Sequence, residues 1–201
     1  MMTDNLQDGP VAVYYENGRL KLEGYYSGGK LNGPSKSYDT DGSLIAEYNF
    51  KDDMLNGTAK EYFGNGQIYR TTEYVNDLKN GLRRIYYQSG SVRGEVNYKN
   101  DILHGLAKEY YENGVVKAEY QYDNGKLYGI IKMYYPSGSL MQEAVLFAGK
   151  RNGMTREYYE NGKLRIECEF SDDKKDGICK IYDESGNMVD ICEYIKDIKK
   201  G

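Results

Sequence analysis

The 201-residue sequence carries 27 Lys+Arg against 31 Asp+Glu, for a formal net charge of −4, and is 39% hydrophobic with 23 Tyr and no Trp. So little aliphatic side chain excludes a thick core, and packing must fall to amphipathic aromatic rings. No apolar run nears the ~20 residues of a bilayer span, Met1–Asp8 lacks a basic stretch followed by an apolar one, and three cysteines do not make a disulfide framework, so a cytoplasmic protein is expected.

A polar leader over residues 1–8 precedes one expected repeat domain over 9–200. Glycine stands at Gly9, Gly33, Gly57, Gly81, Gly105, Gly129, Gly153, Gly177 and Gly201, always 24 residues apart. The units are 9–32, 33–56, 57–80, 81–104, 105–128, 129–152, 153–176 and 177–200. In each, numbered from its first glycine, position 6 is Tyr, from Tyr14 and Tyr38 to Tyr182. A turn pair follows at positions 9 and 10, such as Asn17-Gly18, Asp41-Gly42 or Ser89-Gly90. Glycine takes the positive φ that such a turn needs without steric cost. Position 12 is aliphatic (Leu20, Leu44, Ile68 and their equivalents) and position 18 aromatic, apart from Leu146. A polar, looser turn such as Lys51-Asp52-Asp53 closes the unit. Two reversals per 24 residues leave no room for ten-residue helices. The expected fold is all-β: an elongated single-layer sheet of eight tandem 24-residue hairpins. One hairpin buries too little to stand alone, whereas stacked hairpins bury their faces on neighbours. Asp8 at one end, and Lys196, Lys199 and Lys200 at the other, are charges that discourage end-to-end strand pairing.

Two registers fit the pattern. A two-residue loop at Asn-Gly sets position 4 across from position 15. These are Lys or Arg (Lys36, Lys60, Arg84, Lys108, Lys132, Arg156, Lys180) and Glu (Glu23, Glu47, Glu95, Glu119, Glu143, Glu167). Cross-strand pairs of this kind help to fix register. One face then shows Tyr, Lys/Arg and Glu, while positions 3, 7, 12, 16 and 18 pack the other. Alternatively, a type I turn followed by a glycine bulge shifts pairing by one and moves the position-6 Tyr beside positions 12 and 18. Charge pairing favours the first register; aromatic clustering favours the second.

The segments Gly105-Leu-Ala-Lys-Glu-Tyr-Tyr-Glu-Asn-Gly114 and Gly153-Met-Thr-Arg-Glu-Tyr-Tyr-Glu-Asn-Gly162 resemble the MORN-repeat variant of many bacterial proteins. The likeness spans residues 9–200. It implies a hairpin array and, through relatives labelled YwqK-type antitoxins, a protein-binding role. The better-known MORN repeat carries a Trp that this chain lacks, and its name implies a membrane role.

Few residues suggest chemistry. His104, the only histidine, occupies a turn position filled elsewhere by Asn32, Asn56, Asn80 and Asn152. Cys168, Cys179 and Cys192 gather near the C-terminus at positions where small apolar residues stand in other units, and are expected to pack as thiols. The acidic turns (Asp52-Asp53, Asp172-Asp173, Asp39 and Asp41) lack the alternating oxygen ligands of a calcium loop. No catalytic residue, cofactor or metal is therefore expected. Glu columns beside the Lys columns cancel a basic stripe, which argues against nucleic acid and leaves membrane lipid as the alternative to a protein partner. The expected function is a non-catalytic protein-interaction scaffold, with candidate contacts at Tyr62, Tyr86, Tyr110, Tyr134, Tyr158, Lys108 and Lys132.

Overall fold

The structure, a computed structural model, describes residues 8–200; the leader residues 1–7 and Gly201 lie outside the described residues. These contain twenty-one strands and no helix. The chain forms two compact bodies, divided between Ile102 and Leu103. The first holds the hairpins Gly9–Tyr14/Leu20–Ser27, Gly33–Tyr38/Leu44–Lys51, Gly57–Tyr62/Ile68–Val75 and Leu78–Tyr86/Val92–Lys99. The second holds Gly105–Tyr110/Val116–Asp123, Gly129–Tyr134/Leu140–Phe147, Lys150–Tyr158/Leu164–Ser171 and Lys174–Tyr182/Met188–Ile195. Within each body the second strand of one hairpin pairs antiparallel with the first strand of the next, as Glu47 does with Lys60 and Glu119 with Lys132.

Both registers open in the sequence are present, on either side of a bulge. At the turn, the Asp39 N–H donates to the Ser43 carbonyl (3.0 Å) and the Gly42 N–H to the Asp39 carbonyl (3.1 Å). Gly42 has φ 94°, so this is a type I turn closed by a left-handed glycine. Tyr38 therefore faces Leu44, whereas Ser37 faces Ala46 and Lys36 faces Glu47. Ile45 is the extra residue. The bulge absorbs the one-residue offset, so the turn takes the geometry it prefers and the charges still meet. It also corrects the expected faces: Leu44 shares a face with its cross-strand partner Tyr38 instead of joining the packing layer.

The connection between hairpins, expected to be the looser turn, is the tighter one. Lys51 pairs with Met54 around Asp52 (φ 53°) and Asp53 (φ 69°), two consecutive left-handed residues as a type I′ turn requires. Here the aspartate joins hairpin to hairpin. The Asp53 N–H donates to the Leu31 carbonyl (3.0 Å), and Asp53 Oδ1 accepts the Leu31 N–H (2.7 Å). The same double contact links Asp77 to Leu55, Asp101 to Lys79, Asp173 to Arg151 and Asp197 to Lys175. At the opposite rim, the Tyr15 hydroxyl donates to the Tyr38 carbonyl (2.7 Å), a contact repeated by Tyr111, Tyr135 and Tyr159. Asp8, read from sequence as a repelling edge charge, accepts the Gly28 N–H at 2.6 Å.

The packing layer is thin. In the first body its buried residues are Ser35, Ala46, Ala59 and Thr72; in the second they include Ala107, Ala118, Ala144, Thr155, Leu146 and Phe170. All stand at positions 3, 14, 16 or 18, on the face opposite Tyr38. Small side chains let the rings at position 18 settle over them, but they remove little apolar area from water. The junction hydrogen bonds carry correspondingly more of the stability.

The Asp101 and Asp173 carboxyls are held below the usual carboxylate range, chiefly by the Lys79 and Arg151 backbone N–H groups. A depressed folded-state value makes this contribution complete above about pH 4, and it is lost as pH falls through the folded value. Melting temperature should fall through this acid range. Asp173→Ala should lower it by a few degrees at neutral pH and flatten its acid dependence, as read by circular dichroism melts.

Candidate functional site

The outer face of each hairpin is built from positions 4, 6 and 15. Alternation along a strand puts positions 4 and 6 on one side, and pairing brings position 15 beside them. The Tyr62 hydroxyl donates to Glu47 Oε2 (2.8 Å), whose carboxylate also meets Lys60 Nζ (3.5 Å). Tyr38 and Lys36 converge in the same way on Glu23. In the second body Tyr134 donates to Glu119 (3.0 Å) and Tyr158 to Glu143 (3.0 Å). Lys108 Nζ lies 2.8 Å from Glu119, and Arg156 bridges Glu143 and Glu167 at 3.2 and 3.5 Å. The Tyr hydroxyl, the carboxylate and the cation form a triad that is repeated from one hairpin to the next.

Of the candidates predicted from sequence, Tyr62, Tyr134, Tyr158 and Lys108 are direct members of these triads. Lys132 is the register partner of both Glu119 and Glu143 and helps to keep the Glu119 carboxyl low, behind Lys108 and the Tyr134 hydroxyl. Tyr86 and Tyr110 face the aliphatic Val92 and Val116. The third hairpin departs from the pattern: Thr71 stands where six of the hairpins carry Glu, opposite Arg84, and its ion pair moves to the packing face as Arg70–Glu61.

The environment tunes the triads away from acid–base work at neutral pH. Burial first, then the hydrogen bond to Glu23 or Glu47, pushes Tyr38 and Tyr62 up to about 12. Burial also raises Tyr134 and Tyr158. The Tyr62 hydroxyl lowers Glu47, and the Lys180 ammonium lowers Glu167. At physiological pH these positions present neutral phenols and compensated charges.

Sequence reasoning missed an apolar column two residues before the Lys column. Leu106, Ile130 and Ile178 are 46%, 55% and 47% exposed and share a face with Lys108, Lys132 and Lys180. The corresponding residues of the first body are Pro10, Pro34, Thr58 and the half-buried Leu82, so the second body exposes more apolar surface in this column. The signal was legible as alternation with Lys, had position 2 been compared across units. Tyr135, Met141, Gln142, Glu157, Tyr158 and Arg165 of the second body line a depression of about 230 Å³.

The remaining candidates resolve as follows. His104, expected in a turn, instead links the strand segments Ile102–Leu103 and Gly105–Tyr110 at an exposed position, with Nδ1 4.0 Å from Asp123 Oδ1. Asp39 and Asp41 cap their own turn through the Ser43 N–H, and Asp41 is held down to about 2, chiefly by Ser43. Among the described residues no three His, Cys, Asp or Glu side chains gather as a metal site. The cysteine expectation requires correction: Cys168 and Cys179 are joined as a disulfide, with their Cα atoms 4.1 Å apart, and only Cys192 is free. Junction pairing sets Cys168 opposite Cys179, so the covalent bond follows from register.

The repeat family described as MORN repeat variant matches at residues 7–27, 31–52, 55–76, 79–100, 103–124, 127–147, 151–172 and 175–196, well over half of the chain. No match is found among curated proteins. Solved structures give partial likenesses. A point mutant of S. aureus TarM, in complex with fondaparinux, alpha-GlcNAc-glycerol and UDP, is 16% identical over 48% of this chain and 19% of its own, at TM-score 0.36. A GtfA/B complex bound to UDP and GlcNAc is 12% identical over 56% and 22%, at TM-score 0.25. A TcdB2-TccC3-Cdc42 structure is 14% identical over 91% and 13%, at TM-score 0.25. The chain thus spans about a fifth or less of these much larger proteins.

Tyr62→Phe should destabilise the protein by roughly 0.5–1 kcal/mol in urea unfolding, the lower range for a hydrogen bond to a partly exposed carboxylate. Because Tyr38 and Tyr62 titrate at about 12 instead of 10 when folded, their contribution is complete below pH 10 and lost as pH rises toward 12. Phenolate absorbance should accordingly show a late-titrating class that Tyr38→Phe and Tyr62→Phe diminish.

Proposed function

The chain belongs to the MORN repeat variant family, and from that membership we propose that it is a non-catalytic scaffold whose outer face binds another protein. The observation that carries this reading is the union of two columns on the second body, the compensated Tyr–Glu–Lys triads and the exposed Leu106, Ile130 and Ile178. Tyrosine rings supply large contact area at little cost in side-chain entropy, and their fixed hydroxyls reduce that cost further. Successive hairpins bring the columns round again every ~9.6 Å, two strand spacings, which suits an extended partner segment laid across the strands. The antitoxin-type resemblance makes a toxin-like protein the first partner class to test, and a cytoplasmic site of action goes with it. Cations held by carboxylates leave little free positive charge for anionic lipid or nucleic acid.

The test is capture with the full chain followed by titration of the purified partner. Ile130→Asp and Ile178→Asp alter exposed side chains and should leave the circular dichroism spectrum intact. Each should weaken the complex by roughly tenfold or more. Unchanged affinity in both folded variants would remove this face from the proposal. Flotation with phosphatidylserine vesicles at low salt, abolished by Lys132→Glu, would replace the protein partner with a lipid surface.

A further inference from the structure

The three cysteines occupy three consecutive strands of the second body and one row of its packing face. Cys168 is the register partner of Cys179, and Cys179 of Cys192. Cys179 is therefore flanked on both sides. Its present bond goes to Cys168, across the junction between the last two hairpins; the other neighbour lies across the final hairpin itself. All three are buried, and Ile166, Phe170 and Tyr194 pack around the disulfide. The free thiol is not set in an inert hydrocarbon pocket. Cys192 Sγ donates to Asp190 Oδ2 at 3.3 Å, and Lys199 Nζ stands 4.0 Å from the same oxygen. A proton acceptor and a cation thus attend the one thiol that lacks a covalent partner.

We infer that Cys168, Cys179 and Cys192 form an intramolecular thiol–disulfide exchange row, in which the bond migrates between the hairpin junction and the last hairpin. Cys192 loses its proton through the Asp190 carboxylate to solvent, and its thiolate attacks Cys179 Sγ. The Cys179–Cys192 bond forms as the Cys168–Cys179 bond breaks, and Cys168 leaves as a thiolate that takes a proton from solvent. One disulfide and one thiol exist before and after, so no outside oxidant or reductant is consumed. The two bonds differ in what they hold. Cys168–Cys179 fastens the last hairpin to its neighbour, whereas Cys179–Cys192 closes the last hairpin on itself and leaves its docking to hydrogen bonds and packing. Among the described residues this hairpin docks on one neighbouring hairpin, through the pairing of Leu164–Ser171 with Lys174–Tyr182, so a bond across that junction bears directly on its docking.

Tryptic cleavage after Lys174, Lys175 and Lys180 places the three cysteines on separate peptides, which makes the bond readable. The full-length protein is equilibrated in a glutathione redox buffer, quenched in acid, alkylated with N-ethylmaleimide and mapped without reduction. Wild type should give both Cys168–Cys179 and Cys179–Cys192 peptides. Cys192→Ser should give only the first, and Cys168→Ser, folded by circular dichroism, only the second. Amides of Lys174–Ile195 should exchange roughly tenfold faster in Cys168→Ser than in Cys192→Ser, because only the latter keeps the junction fastened. The inference is overturned if folded Cys168→Ser leaves Cys179 and Cys192 both alkylated, if wild type never yields the Cys179–Cys192 peptide, or if the two variants exchange at the same rate.

Discussion

An aspartate at the second position of five of the type I′ turns (Asp53, Asp77, Asp101, Asp173 and Asp197) stands in for a missing strand. The short strand that ends one hairpin has an unpaired N–H and C=O on its outer side, and buried or crowded backbone groups cannot be left so. Asp53 satisfies both at Leu31, one with its own N–H and one with its carboxylate. Geometry fixes the rest. The turn must be left-handed at two consecutive residues to aim the aspartate backward, and the next strand then leaves in register with the last. Where Gly125 and Gly149 replace the aspartate, the N–H contact to Leu103 and Leu127 persists without the carboxylate. The repeat length follows from this contact as much as from the glycine comb.

Strand pairing at this level of regularity divides the residues into a layer that stacks and a layer that faces outward. Stacking selects Ala, Ser, Thr and Cys, since anything larger would hold the sheet away from the rings at position 18. Arg83, at a position small in most other hairpins, shows the strain of departure: its guanidinium reaches the Tyr98 hydroxyl at 3.4 Å while Nε is buried without a partner. Elsewhere the layer accepts cations over rings, as with Arg151 at 4.0 Å from the Phe170 centroid and Lys175 at 5.0 Å from that of Tyr194. The outer layer, freed from packing, carries the repeated hydroxyl–carboxylate–cation triads and hence the binding chemistry.

Hairpin number, strand order and the pairing of Lys36 with Glu47 were legible because each depends on residues that recur at one interval. The bulge at Ile45 was not. It arises where two local preferences disagree by one residue, and a sequence displays the preferences without the compromise. The tight turns were hidden for another reason: their left-handed residues are Asp, Asn, Gly, Lys and even Ala148 (φ 51°), so no single residue type marks them. The Cys168–Cys179 bond depends on contact between successive hairpins, which spacing along the chain does not reveal. Of the candidate face, the Tyr and Lys columns were readable from periodicity. Leu106, Ile130 and Ile178 were overlooked because three of their four counterparts in the first body, Pro10, Pro34 and Thr58, are Pro or Thr.

The contacts that stitch one hairpin to the next join residues only 20 to 23 apart, as Asp52 with Asn32 and Tyr159 with Tyr182. A ribosome therefore needs to release little more than two repeats before the first junction can close, and within each body every later hairpin finds its template already folded. Assembly can keep pace with synthesis from the N-terminal end, and within each body the loss or gain of a whole 24-residue block would leave every other junction's chemistry unchanged.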